Sequence, residues 1–221
     1  MKFNIAIDGP AGAGKSTIAK KVAKEIGFVY VDTGAMYRAI ALYFLENNID
    51  VENAEEISCA AKKVDVKLMY VDGEQQVIMN GKNVTTLIRK EEVGKMASFV
   101  AKNKQVRLQL LELQRSLANE EDVIMDGRDI GTHVLPNADI KIYLTASSGE
   151  RANRRYKELC EKGVACNLEE IEQDIIARDE QDMNREIAPL KQAEDAIYLD
   201  TSEMNIEQVV DKIISMYKEK Q

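Results

Sequence analysis

Apolar positions along the chain follow two periods. Short apolar runs mark buried strands at Phe3 to Asp8, Phe28 to Val31, Val123-Ile124-Met125, Ile140 to Leu144 and Ala196 to Leu199. Between them the spacing is helical, from about Lys15 to Ile26 and from Gly34 to Asn47, where Met36, Ile40 and Phe44 recur every fourth residue. Helical patterns return from about Lys90 to Ala118, and two helices are predicted from about Ser147 to Arg185. A last helix runs towards Lys218, with Asn205 and Gln208 spaced to cap its start. Strands alternating with helices predict an α/β fold with a parallel sheet covered on both faces. One stretch breaks the alternation. Asp65 to Val71 and Gln75 to Met79 read as strands, joined by Asp72-Gly73 and followed by Asn80-Gly81. Both dipeptides are hairpin signals, so a small antiparallel meander is expected as a side insertion. No repeat or low-complexity linker divides the chain.

Composition narrows the class. The 221 residues are 45% apolar and 31% charged, as in a globular protein able to bury about 70% of its unfolded surface. The longest apolar run, Ala39 to Leu45, has seven residues, against the roughly 20 of a membrane span. A single Lys2 followed shortly by Asp8 does not resemble a signal peptide. The net charge of −8 disfavours a nucleic-acid binder, so any phosphate must be held by local clusters of cations. Of the ten arginines, eight lie between Arg107 and Arg185. Guanidinium is the preferred bidentate partner of phosphate. Three scattered cysteines (Cys59, Cys160, Cys166) and one histidine form neither a disulfide framework nor a tetrahedral zinc site, and a reducing cytoplasm is the expected compartment.

Gly9-Pro10-Ala11-Gly12-Ala13-Gly14-Lys15-Ser16 matches G-x-x-x-x-G-K-[ST] between a predicted strand and a predicted helix. Glycines there let backbone N–H groups converge on phosphate, Lys15 reaches the β/γ-phosphates, and the Ser16 hydroxyl ligates Mg²⁺; Thr17 follows at the helix N-terminus. Lys15 is expected to be partly exposed on this loop. A GTPase would need a guanine-reading N-K-x-D, but Asn103-Lys104 is followed by Gln105-Val106. Motor and transporter ATPases are larger or need partner subunits. A small kinase fits best.

The acceptor side is less explicit. Asp126-Gly127-Arg128-Asp129 follows a buried strand and faces the ligand crevice of a parallel sheet, with Asp126 placed for the Mg²⁺ shell. Arg178, Asp182 and Arg185 share one helix face, as do Arg151, Arg154 and Arg155. Each group alone also reads as a solvated ion pair. Beside a triphosphate site they form a phosphate clamp. His133 is expected to be a non-catalytic histidine, since transfer to an anionic phosphate needs no general base. Two rivals stay open: a kinase acting on a small-molecule hydroxyl with Asp129 as base, and a regulatory module that binds ATP without turnover.

Taken together, the phosphate loop, Asp32-Thr33-Gly34-Ala35-Met36-Tyr37-Arg38, Asp126-Gly127-Arg128-Asp129-Ile130-Gly131-Thr132 and Arg178-Asp179 through Asn184-Arg185 resemble the bacterial-type cytidylate kinases of the nucleoside-monophosphate kinase family. The resemblance covers essentially the whole chain. It implies a single P-loop kinase domain over 1–221, with a monophosphate-binding insert at about 63–95 and a short lid at about 147–166. It implies transfer of the γ-phosphoryl group of ATP to CMP or dCMP with Mg²⁺. Gly9, Pro10, Ala11, Gly12, Ala13, Gly14, Lys15, Ser16 and Thr17 would hold ATP. Arg38, Arg128 and Arg185 would hold the acceptor phosphate, Thr33, Arg107 and Asp129 the cytosine, and Ser98, Arg178 and Asp182 the sugar. Thr33 stands where the family pattern has Ser. Arg151 and Arg155, with Arg154 beside them, would close over the ATP phosphates. A cytoplasmic monomer acting on free nucleotides, with no membrane or nucleic-acid partner, is expected.

Overall fold

In the computed structural model, which describes residues 2–221, Asn4–Asp8 forms β1, with four of its five residues buried. A strand so enclosed needs neighbours on both edges and cover on both faces. α1 (Lys15–Ile26), β2 (Val29–Asp32), α2 (Thr33–Glu46) and a short α3 (Ala54–Ala61) follow. Then come β3 (Val66–Val71), β4 (Glu74–Met79), β5 (Lys82–Asn83) and a 3₁₀ turn at Leu87–Arg89. The remainder is α4 (Glu91–Val100), α5 (Lys104–Glu120), β6 (Val123–Gly127), a π-helical turn at Ile130–Val134, β7 (Ile140–Thr145), α6 (Ser148–Glu161), α7 (Leu168–Met183), β8 (Ile197–Asp200) and α8 (Ile206–Lys220).

The main sheet has the order β2-β6-β1-β7-β8, and every pairing is parallel. The chain leaves β1 towards β2 on one side and returns to its other side at β7. The carboxyl end of β1 is therefore the switch point where an open parallel sheet binds its ligand. Two apolar clusters cover the two faces. One unites α2, α4 and α5 with the meander through Met36, Ile40, Phe44, Val77, Val93 and Leu110. The other packs α1 and α8 through Ile18, Val22, Val209 and Ile213.

β3, β4 and β5 form the separate antiparallel meander. Asp72 and Gly73 have φ of 53° and 77°, and Asn80 and Gly81 have φ of 48° and 80°. Two consecutive residues at positive φ suit the right-handed twist of a tight hairpin. The meander leans on the exposed edge of β2. Gln75 Oε1 accepts from Asp32 N at 2.9 Å, Tyr70 Oη donates to Tyr30 O at 3.1 Å, and Glu74 pairs with Lys20 of α1.

Two local features depart from the hydrophobic pattern. The helical stretch predicted from Lys90 to Ala118 is broken at Ala101–Asn103, where the Asn103 side chain accepts from Gln105 N and Val106 N and starts a second helix. α3 has no counterpart in the sequence reading; Asn53 caps it in the same way. The predicted capping box of α8 is present, with Asn205 and Gln208 each bonded to the other's backbone. Among the described residues, no helix is long and apolar enough to cross a membrane, and the three thiols are free.

Candidate active site

The phosphate loop leaves β1 with its backbone pressed against β7. A Cβ on Gly9 would lie 1.9 Å from the carbonyl oxygen of Leu144, so no other residue fits this approach. Gly14, at φ 85°, precedes α1, whose first turn no side chain caps. The helix therefore presents uncompensated N–H groups and the positive end of its dipole to the loop. Ser16 and Thr17 are exposed at this end.

Lys15 is only 5% exposed, contrary to the expectation of a partly exposed loop side chain. Its Nζ donates to Pro10 O at 2.7 Å, which folds it back across the loop. Burial, then the charge of Arg128, pulls its pKa well below the usual lysine value, against the opposing pull of Asp126 and Asp8. An ammonium held this way gains most from an anion beside it.

Asp126 ends up between elements far apart in sequence. Its Oδ2 accepts from Ser16 Oγ at 2.8 Å, its Oδ1 from Tyr30 Oη at 2.9 Å, and its carbonyl oxygen from Thr33 Oγ1 at 2.7 Å. Burial, reinforced by Asp32, pushes its carboxyl up to about 6. Asp8 is likewise pushed up to about 6 by burial, although it accepts from Ile130 N and Gly131 N at 2.8 and 2.7 Å and so anchors the π-helical turn.

Opposite the loop, five guanidiniums converge. Asp129 is clasped between Arg107 and Arg185, accepting from Arg185 Nη2 at 3.0 Å; Arg107 lies over the Tyr37 ring, 5.7 Å from its centroid. Arg128 Nε donates to Asp182 Oδ2 at 2.9 Å. Burial opposes its charge, but Asp182 and then Asp126 outweigh it and hold the Arg128 pKa above its ordinary value. Arg178 has a buried Nε with no hydrogen-bond partner. Burial, then Arg128, lowers its pKa to about 10, with Arg38 adding to the repulsion. Arg38 is itself lowered by burial, with Arg89 and Arg128 adding to it and Asp32 opposing. Buried guanidiniums set side by side, with Arg38 and Arg178 held down by their neighbours, make a receptor for a polyanion.

Several sequence expectations are redistributed. Arg178 and Asp182 do not pair along their helix; Asp182 is taken by Arg128, with Arg185 Nη1 3.9 Å away. The arginines of α6 do not act as one face. Arg151 is buried against the loop, donating to Ala11 O at 2.8 Å and pairing with Asp179. Arg154 donates to Thr201 O at 2.8 Å and pairs with Glu150, while Arg155 pairs with Glu158 at the exposed side. Ser98 is half-buried on α4, and His133 is exposed, away from these contacts. The sequence reading missed roles for Asp8, Tyr30, Asp32, Arg89 and Asp179. Asp32 caps α2 through Ala35 N and accepts from Arg89 Nη2 at 3.2 Å. Only its place in a Thr-Gly-bearing strand end, an N-cap signal, could have found it.

The family model described as "Cytidylate kinase" matches residues 5–219. The chain is 49% identical to a cytidylate kinase of Caldicellulosiruptor bescii over 98% of its own length and 96% of that protein. It is 48% identical to one of Bacillus cytotoxicus, covering 99% and 97%. Among solved structures, an uncharacterized protein of Eubacterium ventriosum superposes with a TM-score of 0.53 at 14% identity, covering 99% of each chain, a likeness of fold alone.

Proposed function

The chain belongs to the cytidylate kinase family, and we propose that it transfers the γ-phosphoryl group of ATP to CMP or dCMP, giving ADP and CDP or dCDP. The observation that carries this reading is the cluster of guanidiniums Arg38, Arg128 and Arg178, in which burial and neighbouring arginines hold Arg38 and Arg178 below their ordinary pKa, facing a loop shaped for a triphosphate. A regulatory nucleotide switch has no need of a second anion receptor.

On the donor side, residues Gly9 to Thr17 would cradle the ATP phosphates, with Lys15 as the nearest cation. Ser16 and Asp126 fit Mg²⁺: both are oxygen donors, and the Ser16 hydroxyl, spending its proton on Asp126, keeps its lone pairs for a cation. Mg²⁺ held there would neutralise charge on the β- and γ-phosphates. Arg155, with Arg154, on the segment read as the lid, would add charge from the far side, whereas Arg151 already lies against the loop, paired with Asp179.

On the acceptor side, Arg38, Arg128 and Arg185 would hold the monophosphate, and Ser98, Arg178 and Asp182 the sugar. Thr33 Oγ1 donates to a carbonyl and so is left as an acceptor. Asp129, a carboxylate, also only accepts. Two acceptors suit the exocyclic amine of cytosine, which uracil lacks. Both Asp129 oxygens already meet guanidiniums, which supports recognition over service as a base for a hydroxyl acceptor. The attacking acceptor phosphate is already anionic, so the protein supplies position and charge rather than proton transfer. The insert at 63–95 would close over the monophosphate. A monomer acting in the cytoplasm completes this reading. Incubation with ATP and CMP, followed by chromatography, should yield ADP and CDP in equal amounts; ADP without CDP would overturn the reading.

A further inference from the structure

Asp179 is given no contact with either nucleotide above, yet it is one of the most enclosed carboxylates in the molecule, 6% exposed on α7. Its Oδ1 accepts from Ala11 N at 2.9 Å, and its Oδ2 pairs with Arg151 Nη1. The same Arg151 nitrogen donates to Ala11 O at 2.8 Å, and Arg151 Nε to Ala146 O at 2.9 Å. Both polar groups of one loop residue are thus gripped by an ion pair whose members sit on α6 and α7. The grip is backed by packing. A Cβ on the next loop residue, Gly12, would lie 3.4 Å from Arg151 Cβ and 3.6 Å from Ile175 Cδ1 on α7.

α7 also carries Arg178 and Asp182, which face the acceptor group. A neutral side chain would satisfy the Ala11 amide; a charge paired with Arg151 ties the loop to the end of β7 as well. Because this clamp is buried, the loop and α7 move together or the ion pair breaks.

We propose that Asp179 is a positioning residue that registers the phosphate loop against α7, so that nucleotide on the loop and monophosphate beside Arg178 and Asp182 bind synergistically. The proposal rests on the kinase reading above. Coupling of this kind is reciprocal between the two ligands, and couplings between sites are typically about 5- to 150-fold.

Calorimetric titration of the full chain with CMP, alone and in the presence of Mg²⁺ and a non-hydrolysable ATP analogue, measures it. The wild type should bind CMP about 5-fold or more tightly when the analogue is present. Asp179→Ala should reduce that factor to about 1 while CMP alone binds within about 3-fold of wild type. Asp179→Asn keeps an acceptor for the Ala11 amide and should retain an intermediate factor; it also carries the test if the alanine variant does not fold. A purely structural Asp179 would lower the melting temperature and leave the coupling factor unchanged. Full synergy in folded Asp179→Ala, or none in the wild type, overturns the proposal. Failure of the wild type to bind CMP or the analogue at all overturns the kinase reading, and the proposal with it.

Discussion

Ser16 Oγ donates to Asp126 Oδ2 across 2.8 Å, joining the end of the phosphate loop to the carboxyl end of β6 over 110 residues of sequence. With Tyr30 on its other oxygen, the Asp126 carboxylate is fixed in orientation before any nucleotide arrives. The cost of that arrangement is a carboxylate in a buried place.

Burial raises the Asp126 pKa to about 6, so the native state binds its proton more tightly than the unfolded chain does. Its contribution to stability is complete below about pH 4 and is lost as the pH rises through about 6. Asp126→Asn removes this loss. In urea unfolding without nucleotide, the variant should gain on the wild type by on the order of 1–3 kcal/mol between pH 4 and pH 7. A difference that does not change with pH would contradict burial as the cause.

Lys15 lies folded under the loop rather than in solvent. Lys15→Met preserves most of its buried volume but not its charge. Turnover should fall by about 10²- to 10³-fold or more, as when a group stabilising developing charge is lost, with circular dichroism unchanged. Near-normal turnover in the folded variant would remove the loop from the chemistry.

Arg178 has an unpartnered buried Nε and a pKa lowered to about 10, so it adds little to the apo fold. Arg178→Ala should raise the KM for CMP by about 10-fold or more, since hydrogen bonds from charged groups contribute about 1.5–3 kcal/mol, and should leave the melting temperature unchanged or higher. Asp182 behaves differently because it is bonded to Arg128. A double-mutant cycle on Arg128 and Asp182 should be non-additive, and one on Arg178 and Asp182 closer to additive. The reverse pattern would restore the intrahelical pair that the spacing suggested.

Asp129 sits between Arg107 and Arg185, so on the proposed reading Asp129→Asn should disturb recognition and stability together. The CMP kcat/KM should fall by about 5- to 200-fold and the preference for CMP over UMP should narrow. Stability should also fall, because Arg107 is left buried without its carboxylate. An unchanged CMP-to-UMP ratio would reject the cytosine-reading role.

The legible parts of this protein were those written contiguously. The phosphate loop is eight adjacent residues whose chemistry depends on backbone and order. The meander showed through its two dipeptides, whose residues now sit at positive φ. α3 was hidden because eight residues give barely two turns of periodicity. The break at Ala101–Asn103 was hidden because apolar spacing continues across it; only the Asn103 cap marks it. Partner choice was the least legible. Asp182 faces Arg178 along the helix by spacing, but Arg128 arrives from just beyond β6, 54 residues away, and wins. The same holds for Arg151, whose spacing groups it with Arg154 and Arg155 while tertiary contact gives it to Asp179 and Ala11. Asp8 read only as the end of a strand, and its grip on Ile130 and Gly131 exists only once β1 lies beside β6.

The central claim, that the guanidinium cluster opposite the loop accepts a cytidine monophosphate, is tested most directly by initial rates of ATP-dependent ADP release over a panel of nucleoside monophosphates. The account predicts that CMP and dCMP give the highest kcat/KM, with UMP, AMP and GMP well below them and ATP alone releasing little ADP. Equal rates across the panel, or ADP release with ATP alone matching that with CMP, would contradict it.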